Sequence, residues 1–198
     1  NNPHNMVKAY HQSAQTLNIL RAFSTGGYAD ISRLHAWNLD FVEDTEERSR
    51  YRKFATKVDE SLRFMKAIGI DTADPTFTQT DFYTAHECLL LPYEQALTRK
   101  DSTTGKWYDC SAHMLWVGER TRDLDSAHLE FVRGIGNPIG VKVSDKCTPD
   151  ELIRIIDTMN PNNIPGRLTI VVRMGAEKVR KNLPGLIRAV QREGKSVL

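Results

Sequence analysis

Ile139-Gly-Val-Lys-Val-Ser-Asp-Lys-Cys-Thr148-Pro-Asp-Glu-Leu-Ile-Arg-Ile-Ile-Asp-Thr-Met159-Asn-Pro-Asn-Asn-Ile-Pro-Gly-Arg-Leu168-Thr-Ile-Val-Val172 reads as one complete strand, helix and strand. Ile139–Val143 and Leu168–Val172 are short apolar runs rich in β-branched residues, the pattern of strands inside an α/β fold. Between them, Thr148 stands where a helix cap belongs, Pro149 at the first helical position and Glu151 three residues after the cap. Leu152, Ile155, Ile156 and Met159 then fall on one helical face, and the Asn, Pro and Gly residues of 160–166 end the helix.

The same rhythm extends outward. Thr78–Tyr83, Met114–Val117 and a stretch beginning at Ser196 are further strand candidates, so residues 75–198 read as βα repeats. Residues 1–74 read as mainly helical. Met6, Val7, Tyr10, Ala14, Leu17, Leu20 and Phe23 recur at helical spacing until Gly26-Gly27 breaks the pattern. A second helix is expected from Asp44, capped by Asp44 and Glu47, to Ile68, with Gly69 ending it. Tyr51, Phe54, Val58, Leu62, Met65 and Ile68 would form its apolar face, and Glu46, Arg50, Lys53, Lys57 and Glu60 its solvated one. Four to five βα units fit a doubly wound sheet or part of a (β/α)8 barrel, which needs roughly 250 residues. A strand that begins at the very end of the sequence points to a portion of a larger fold.

Composition narrows the function classes. With 40% hydrophobic and 26% charged residues, the 198-residue chain has the profile of a soluble globular protein. Its 27 basic and 25 acidic residues give a net charge of +2, so neither nucleic acid nor membrane is expected as a partner. No apolar run approaches the roughly 20 residues that a bilayer requires, and the start has no leader pattern. Cys88, Cys110 and Cys147 match neither a disulfide framework nor a zinc motif, so reduced thiols and an intracellular setting are expected.

Charge gathers at the strand ends. Trp116-Val-Gly-Glu-Arg-Thr-Arg122, Gly140-Val-Lys142-Val143 and Val171-Val-Arg173-Met-Gly175 each close an apolar run with charged residues. Carboxyl ends of parallel strands converge on the mouth where α/β enzymes place their chemistry. Arg120, Lys142 and Arg173 would build a cationic pocket around Glu119, suited to a ligand with both a phosphate and a carboxylate. A buried ion-pair network between Glu119 and these cations would explain the same pattern. Glu87 could be a second acid at the mouth, with His86 as its neighbour or as a helix cap. His113 and His128 read as structural, the latter on a helix with Leu124 and Phe131 facing inward. Trp116 reads as a packed aromatic or a pocket wall, and Tyr28, Trp37 and Tyr83 as packed aromatics. Walker and dinucleotide loops, a nucleophile elbow and a zinc helix are absent from the sequence.

Arg21-Ala-Phe-Ser-Thr-Gly-Gly-Tyr28, Ala85-His-Glu87, Leu91-Pro-Tyr-Glu94, Trp116–Arg122, Gly136-Asn-Pro-Ile-Gly-Val-Lys142 and Arg173-Met-Gly175 occur in one order. In these motifs the chain resembles class II 3-deoxy-D-arabino-heptulosonate 7-phosphate (DAHP) synthases of the plant and microbial type, over nearly its whole length. The resemblance implies a (β/α)8 TIM barrel, of which the chain holds the middle portion, about strands 3 to 6 and the start of 7, with an extra helical segment before it. It also implies condensation of phosphoenolpyruvate with erythrose 4-phosphate and water to DAHP and phosphate, the first step of the shikimate route to chorismate and the aromatic amino acids. Phosphoenolpyruvate would be held by Glu119, Arg120, Lys142 and Arg173, with Trp116 lining the site. Glu87 would be an active-site acid near the second substrate or the attacking water.

The family's divalent metal, Mn2+ or Co2+, polarises the aldehyde. Its Cys, His, Glu and Asp ligands belong to segments on either side of the matched motifs, so no metal ligand is assigned here. A homo-oligomer is implied, located in the cytoplasm or, in a plant or alga, the plastid stroma. The alternative is a non-catalytic truncated relative that binds phosphorylated metabolites or a synthase subunit.

Overall fold

A computed structural model describes residues 2–31, 33 and 46–198. The chain divides into two units, Asn1–Phe82 and Tyr83–Leu198.

In the first unit, α1 (Pro3–Thr25) starts where the Asn2 side chain accepts a bond from the His4 N–H at 3.0 Å. Gly26 donates back to the Ala22 carbonyl, and Gly27 then turns the chain at φ +84°. The second helix, α2, is described over Glu46–Ala67. It ends at Gly69 (φ +89°), with the Ile70 N–H reaching back to the Met65 carbonyl at 3.0 Å. Trp37, Asp44 and the Glu47 side chain, and with them the expected capping box, lie outside the described residues.

Only part of the expected apolar face of α2 is sheltered. Ala55 is buried and Tyr51, Val58, Leu62 and Met65 are half-buried, whereas Phe54 and Ile68 are 67% and 59% exposed. The charged positions Glu46, Arg50, Lys53, Lys57 and Glu60 are exposed, as their pattern predicts. Along α1, Val7, Tyr10, Leu20 and Phe23 are likewise exposed.

One sequence expectation needs correcting here. Thr78–Tyr83 is not a strand. Asp74 caps the short helix α3 (Pro75–Thr78), accepting from the Thr76 N–H at 2.8 Å, and the chain then runs irregularly. The first strand is β1 (Ala85–Glu87) itself, so His86 and Glu87 lie in the strand rather than after it.

The second unit continues with α4 (Leu91–Leu97), β2 (Thr98–Lys100), β3 (Trp107–Asp109), β4 (Met114–Val117) and α5 (Ala127–Gly134), followed by β5 (Ile139–Val143), α6 (Pro149–Met159), β6 (Leu168–Val172) and α7 (Gly175–Arg192). Strands β2 and β3 form a small antiparallel hairpin that the sequence reading did not anticipate. The other four make one parallel sheet in the order β1-β4-β5-β6. Beyond it, the Leu198 N–H donates to the Leu168 carbonyl at 3.0 Å and the Leu198 carbonyl accepts from Ile170 at 2.7 Å, the bonding of a further parallel neighbour.

Register separates the two faces of this sheet. One row aligns His86, Leu115, Ile139 and Leu168, and Val117, Val141 and Val143 share its face; apart from His86 all are fully buried against the helices. There they meet Leu129 and Val132 of α5 and Leu152, Ile155, Ile156 and Met159 of α6. Each such fully buried side chain contributes roughly 1.5–3 kcal/mol. Helix α6 forms as its sequence dictates, with both bonds of the Thr148–Glu151 capping box present. In α5, Leu124 precedes the helix, and Leu129 and Val132 are the residues turned fully inward.

Candidate active site

The opposite face of the parallel sheet carries the polar residues. Glu87, Trp116 and Gly140 occupy one row, and Lys142 lies one step closer to the strand ends. Two glycines make this crowding possible. A Cβ on Gly118 would stand 2.3 Å from Glu87 Oε1, and one on Gly140 would stand 2.9 Å from Trp116 Cβ and 2.8 Å from Met114 Cε.

Lys142 Nζ donates to Glu87 Oε2 at 2.7 Å and lies 5.4 Å from the centre of the Trp116 ring. The hydrogen bond from Lys142 holds the Glu87 carboxyl below its usual range, with smaller help from the indole and from the charge of Arg120. Glu119 is held differently. Its Oε1 accepts from Ser144 Oγ at 2.6 Å and from Arg122 Nη2 at 3.1 Å. Burial pushes the Glu119 carboxyl up, but these two donors outweigh it and leave the group below its ordinary value. Arg122 is itself buried and also pairs with Glu151 in the first turn of α6. Burial disfavours its charge, yet the two carboxylates prevail and raise its pKa.

The pairing therefore differs from the ion-pair network between Glu119 and Arg120, Lys142 and Arg173 that the sequence allowed. Glu119 makes no bond to Arg120, Lys142 or Arg173; it faces Arg122 and Ser144, and Glu87 takes Lys142. Arg120 and Arg173 are exposed, with no hydrogen bond or ion pair to their side chains among the described residues. The Arg173 N–H continues the β5–β6 ladder by donating to the Val143 carbonyl at 2.8 Å. Two buried polar atoms just past β4 lack partners: Glu119 Oε2 and Arg122 Nε. Such atoms are costly unless a ligand or water satisfies them. The arrangement can thus offer two open arginines, a shared lysine and fixed carboxylates to an anionic ligand.

Behind β1 lies a second polar cluster that sequence reading missed. His86 Nε2 meets Glu94 Oε1 at 2.8 Å, and Ser111 Oγ donates to Glu94 Oε2 at 2.6 Å. The Glu94 hydrogen bond raises the His86 pKa. Burial raises Asp109, and the nearby Glu94 charge adds to the effect. His86 therefore does not cap α4. The sequence hint was Leu91-Pro-Tyr-Glu94, a helix start with an acid in its first turn. Arg122 and Ser144 were also missed as partners of Glu119; Arg122 sat within a recognised motif without a role.

The structural readings of His113 and His128 hold. His113 Nδ1 meets the Thr84 N–H at 3.0 Å, and His128 Nε2 meets the Leu89 carbonyl at 3.2 Å. Tyr28 packs on Phe23 with ring centres 4.8 Å apart, whereas Tyr83 is 77% exposed. Burial pushes the Cys88 thiol up to about 12 and the Cys147 thiol up to about 11, and Cys110 is a free exposed thiol. Among the described residues no three His, Cys, Asp or Glu side chains converge to hold a metal. Nor is any described helix long and apolar enough to cross a membrane.

A parallel sheet whose helix side is apolar and whose other face bears charged residues near the strand ends is the plan of an α/β protein that places its chemistry at the carboxyl ends of its strands. The model of the class-II DAHP synthetase family matches residues 1–198. The chain belongs to that family. It is 60% identical over 163 residues to a probable chloroplastic phospho-2-dehydro-3-deoxyheptonate aldolase of Catharanthus roseus, covering 82% of this chain and 33% of that protein. It is 50% identical over 195 residues to the phospho-2-dehydro-3-deoxyheptonate aldolase of Streptomyces coelicolor, covering 98% of this chain and 43% of the relative. The chain thus spans one third to just over two fifths of these curated relatives.

Proposed function

We propose that this chain carries the phosphoenolpyruvate-binding half of a DAHP synthase, which condenses phosphoenolpyruvate with erythrose 4-phosphate and water to DAHP and phosphate. The observation that supports this reading most directly is the unpaired state of Arg120 and Arg173 on the rim that also holds Lys142. Their positions in the family motifs agree with it. The four parallel strands would be the third to sixth of a (β/α)8 barrel, with Leu198 entering the seventh.

On this reading Arg120 and Arg173 grip the ligand's phosphate and carboxylate, and Lys142 adds a point charge between them. Carbon three of phosphoenolpyruvate attacks the aldehyde carbon, which forms the new carbon–carbon bond and leaves positive charge at carbon two. Glu119, held ionised by Arg122 and Ser144, stabilises that charge. The aldehyde carbon–oxygen π bond opens to an alkoxide; water adds at carbon two, with Glu87 near enough to orient it and relay one of its protons to that alkoxide, and phosphate departs by cleavage of the carbon–oxygen bond with the second proton as carbon two becomes a ketone. Trp116 walls the site beneath Lys142.

Homo-oligomerisation accompanies this reading and agrees with the exposed Phe54, Phe64 and Ile68 on α2. The compartment would be the plastid stroma in a plant or alga, as in the Catharanthus relative's name, and the cytoplasm otherwise. The test is a coupled assay of the chain and of its full open reading frame with phosphoenolpyruvate, erythrose 4-phosphate and manganese, scoring phosphate and heptulosonate together. Formation of both products by the full reading frame is expected; formation of neither product by the full reading frame would overturn the proposal.

A further inference from the structure

Arg122 closes the motif that begins at Trp116, yet it makes none of the ligand contacts proposed above. It is 6% exposed, a depth at which a guanidinium persists only with partners. Nη2 donates to Glu119 Oε1 at 3.1 Å and Nη1 donates to Glu151 Oε1. The other oxygen of Glu151 accepts from the Thr148 N–H at 3.4 Å as part of the α6 capping box. Ser144 Oγ, on the loop between β5 and α6, donates to the same Glu119 oxygen at 2.6 Å. One oxygen of Glu119 is therefore filled by two donors, while Oε2 is buried without a partner. Next to it in sequence, Arg120 stands exposed and unpaired.

This distribution is unexpected on charge alone. A carboxylate beside Arg120 and on the same rim as Lys142 and Arg173 has three cations to choose from, and any of them engaged by Glu119 would have its charge partly neutralised before the ligand arrives. We infer that Arg122 is a positioning residue for the anion site: it anchors Glu119 to the first turn of α6 and keeps that carboxylate off the ligand-binding cations. The inference rests on the phosphoenolpyruvate reading. It extends that reading to a residue that touches neither substrate. Glu151 and Ser144 complete the anchor, so the loops after β4 and β5 act as one support.

Loss of Arg122 releases a negative charge among cations meant for another anion. Weaker binding is the first consequence, and neutralising the released carboxylate should reverse it, which loss of packing alone would not do. The full-length gene product is prepared as wild type, Arg122→Gln, Arg122→Lys, Ser144→Ala, Glu119→Gln and the double variant Arg122→Gln/Glu119→Gln. Phosphoenolpyruvate is titrated calorimetrically, and KM and kcat are measured in parallel.

Arg122→Gln should weaken phosphoenolpyruvate binding by about tenfold or more, the scale of one charge-assisted contact. Arg122→Lys should recover part of that loss, and the double variant should bind more tightly than Arg122→Gln alone. Ser144→Ala, which leaves the buried ion pair intact, should weaken binding by about threefold, the scale of one neutral hydrogen bond, without lowering the melting temperature. If Arg122→Gln does not fold, the Arg122→Lys and Ser144→Ala proteins decide: both binding within twofold of wild type sinks the positioning role. A folded Arg122→Gln protein with unchanged affinity, or a double variant no tighter than the single one, sinks it equally. A wild-type protein that binds no phosphoenolpyruvate instead removes the functional reading itself, which the variants cannot mimic.

Discussion

Replacing Lys142 by Met keeps an unbranched apolar stem over Trp116 but removes the cation 2.7 Å from Glu87 Oε2. The two side chains are 18% and 28% exposed, so the pair is neither on the surface nor sealed. At an effective dielectric constant near 20, charges 2.7 Å apart attract by about 6 kcal/mol before desolvation and side-chain ordering are subtracted. Exposed pairs retain roughly 0.2–1 kcal/mol of such attraction, and breaking buried ones costs roughly 3–5 kcal/mol; a pair between these limits should be worth about 1.5–2 kcal/mol. The pH dependence has a definite sign. Lys142 holds the Glu87 pKa below its ordinary 4.5, so the contribution is present above that value and disappears as pH falls through the lower, folded value. Urea denaturation of wild type, Lys142→Met, Glu87→Gln and the double variant should show the full loss at neutral pH, a shrinking loss as pH drops through the carboxylate range, and coupling of about 1.5–2 kcal/mol between the sites. Equal losses at neutral and acid pH, or strict additivity, would refute an electrostatic role for Lys142 and leave only its packing on Trp116.

Arg173→Ala should weaken phosphoenolpyruvate binding by roughly 1.5–3 kcal/mol through loss of a bidentate charge-assisted contact. Because Arg173 is exposed and unpaired in the chain, its removal should leave the melting temperature unchanged; calorimetric binding and thermal melts check the two halves separately. Gly140→Ala places a methyl group 2.8 Å from Met114 Cε and 2.9 Å from Trp116 Cβ, and should destabilise the fold by about 1–3 kcal/mol and shift the Trp116 fluorescence. An unaltered emission spectrum would count against the close packing of Trp116. Glu94 raises the His86 pKa above its ordinary 6.5, so stability from this pair is complete below that pH and is lost as pH rises through the folded value. The melting temperature should therefore decline from mildly acid to mildly alkaline pH, and Glu94→Gln should flatten the decline; a His86 titration by NMR at an unshifted pKa would contradict it.

Where local signals were sufficient, the sequence was legible. Thr148, Pro149 and Glu151 fixed the start of α6, and its four inward residues, Leu152, Ile155, Ile156 and Met159, followed from helical spacing alone. The strands β4, β5 and β6 were equally plain because they lie inside the sheet, where each apolar run has one length and one place. The edge strand β1 was not, since three residues carry little pattern and the Thr80–Tyr83 alternation just before them imitates a strand but joins no sheet. The β2–β3 hairpin was overlooked although Asp101 and Gly105 mark its turn, where the Gly105 N–H bonds the Asp101 carbonyl at 2.9 Å. In the candidate site the charged residues could be named in advance but their partners could not. Glu119 lies three residues from Arg122 and 25 from Ser144, and only the folded loops show that these, rather than the adjacent Arg120, take its oxygen.

That choice of partners bears on how an anion could be received. A site that had first to break its own ion pairs would lose much of the binding energy to that exchange. Here the two carboxylates are already held by groups that a ligand need not displace. Arg122 and Ser144 sit on the α6 side of Glu119, and Lys142, with three donors on one ammonium, can keep Glu87 and still reach a ligand oxygen. Arg120 and Arg173 have nothing to give up. The net positive charge at the rim is therefore available without rearrangement. Preorganisation of this kind suits a reaction in which the same carboxylate must stay ionised while positive charge grows beside it.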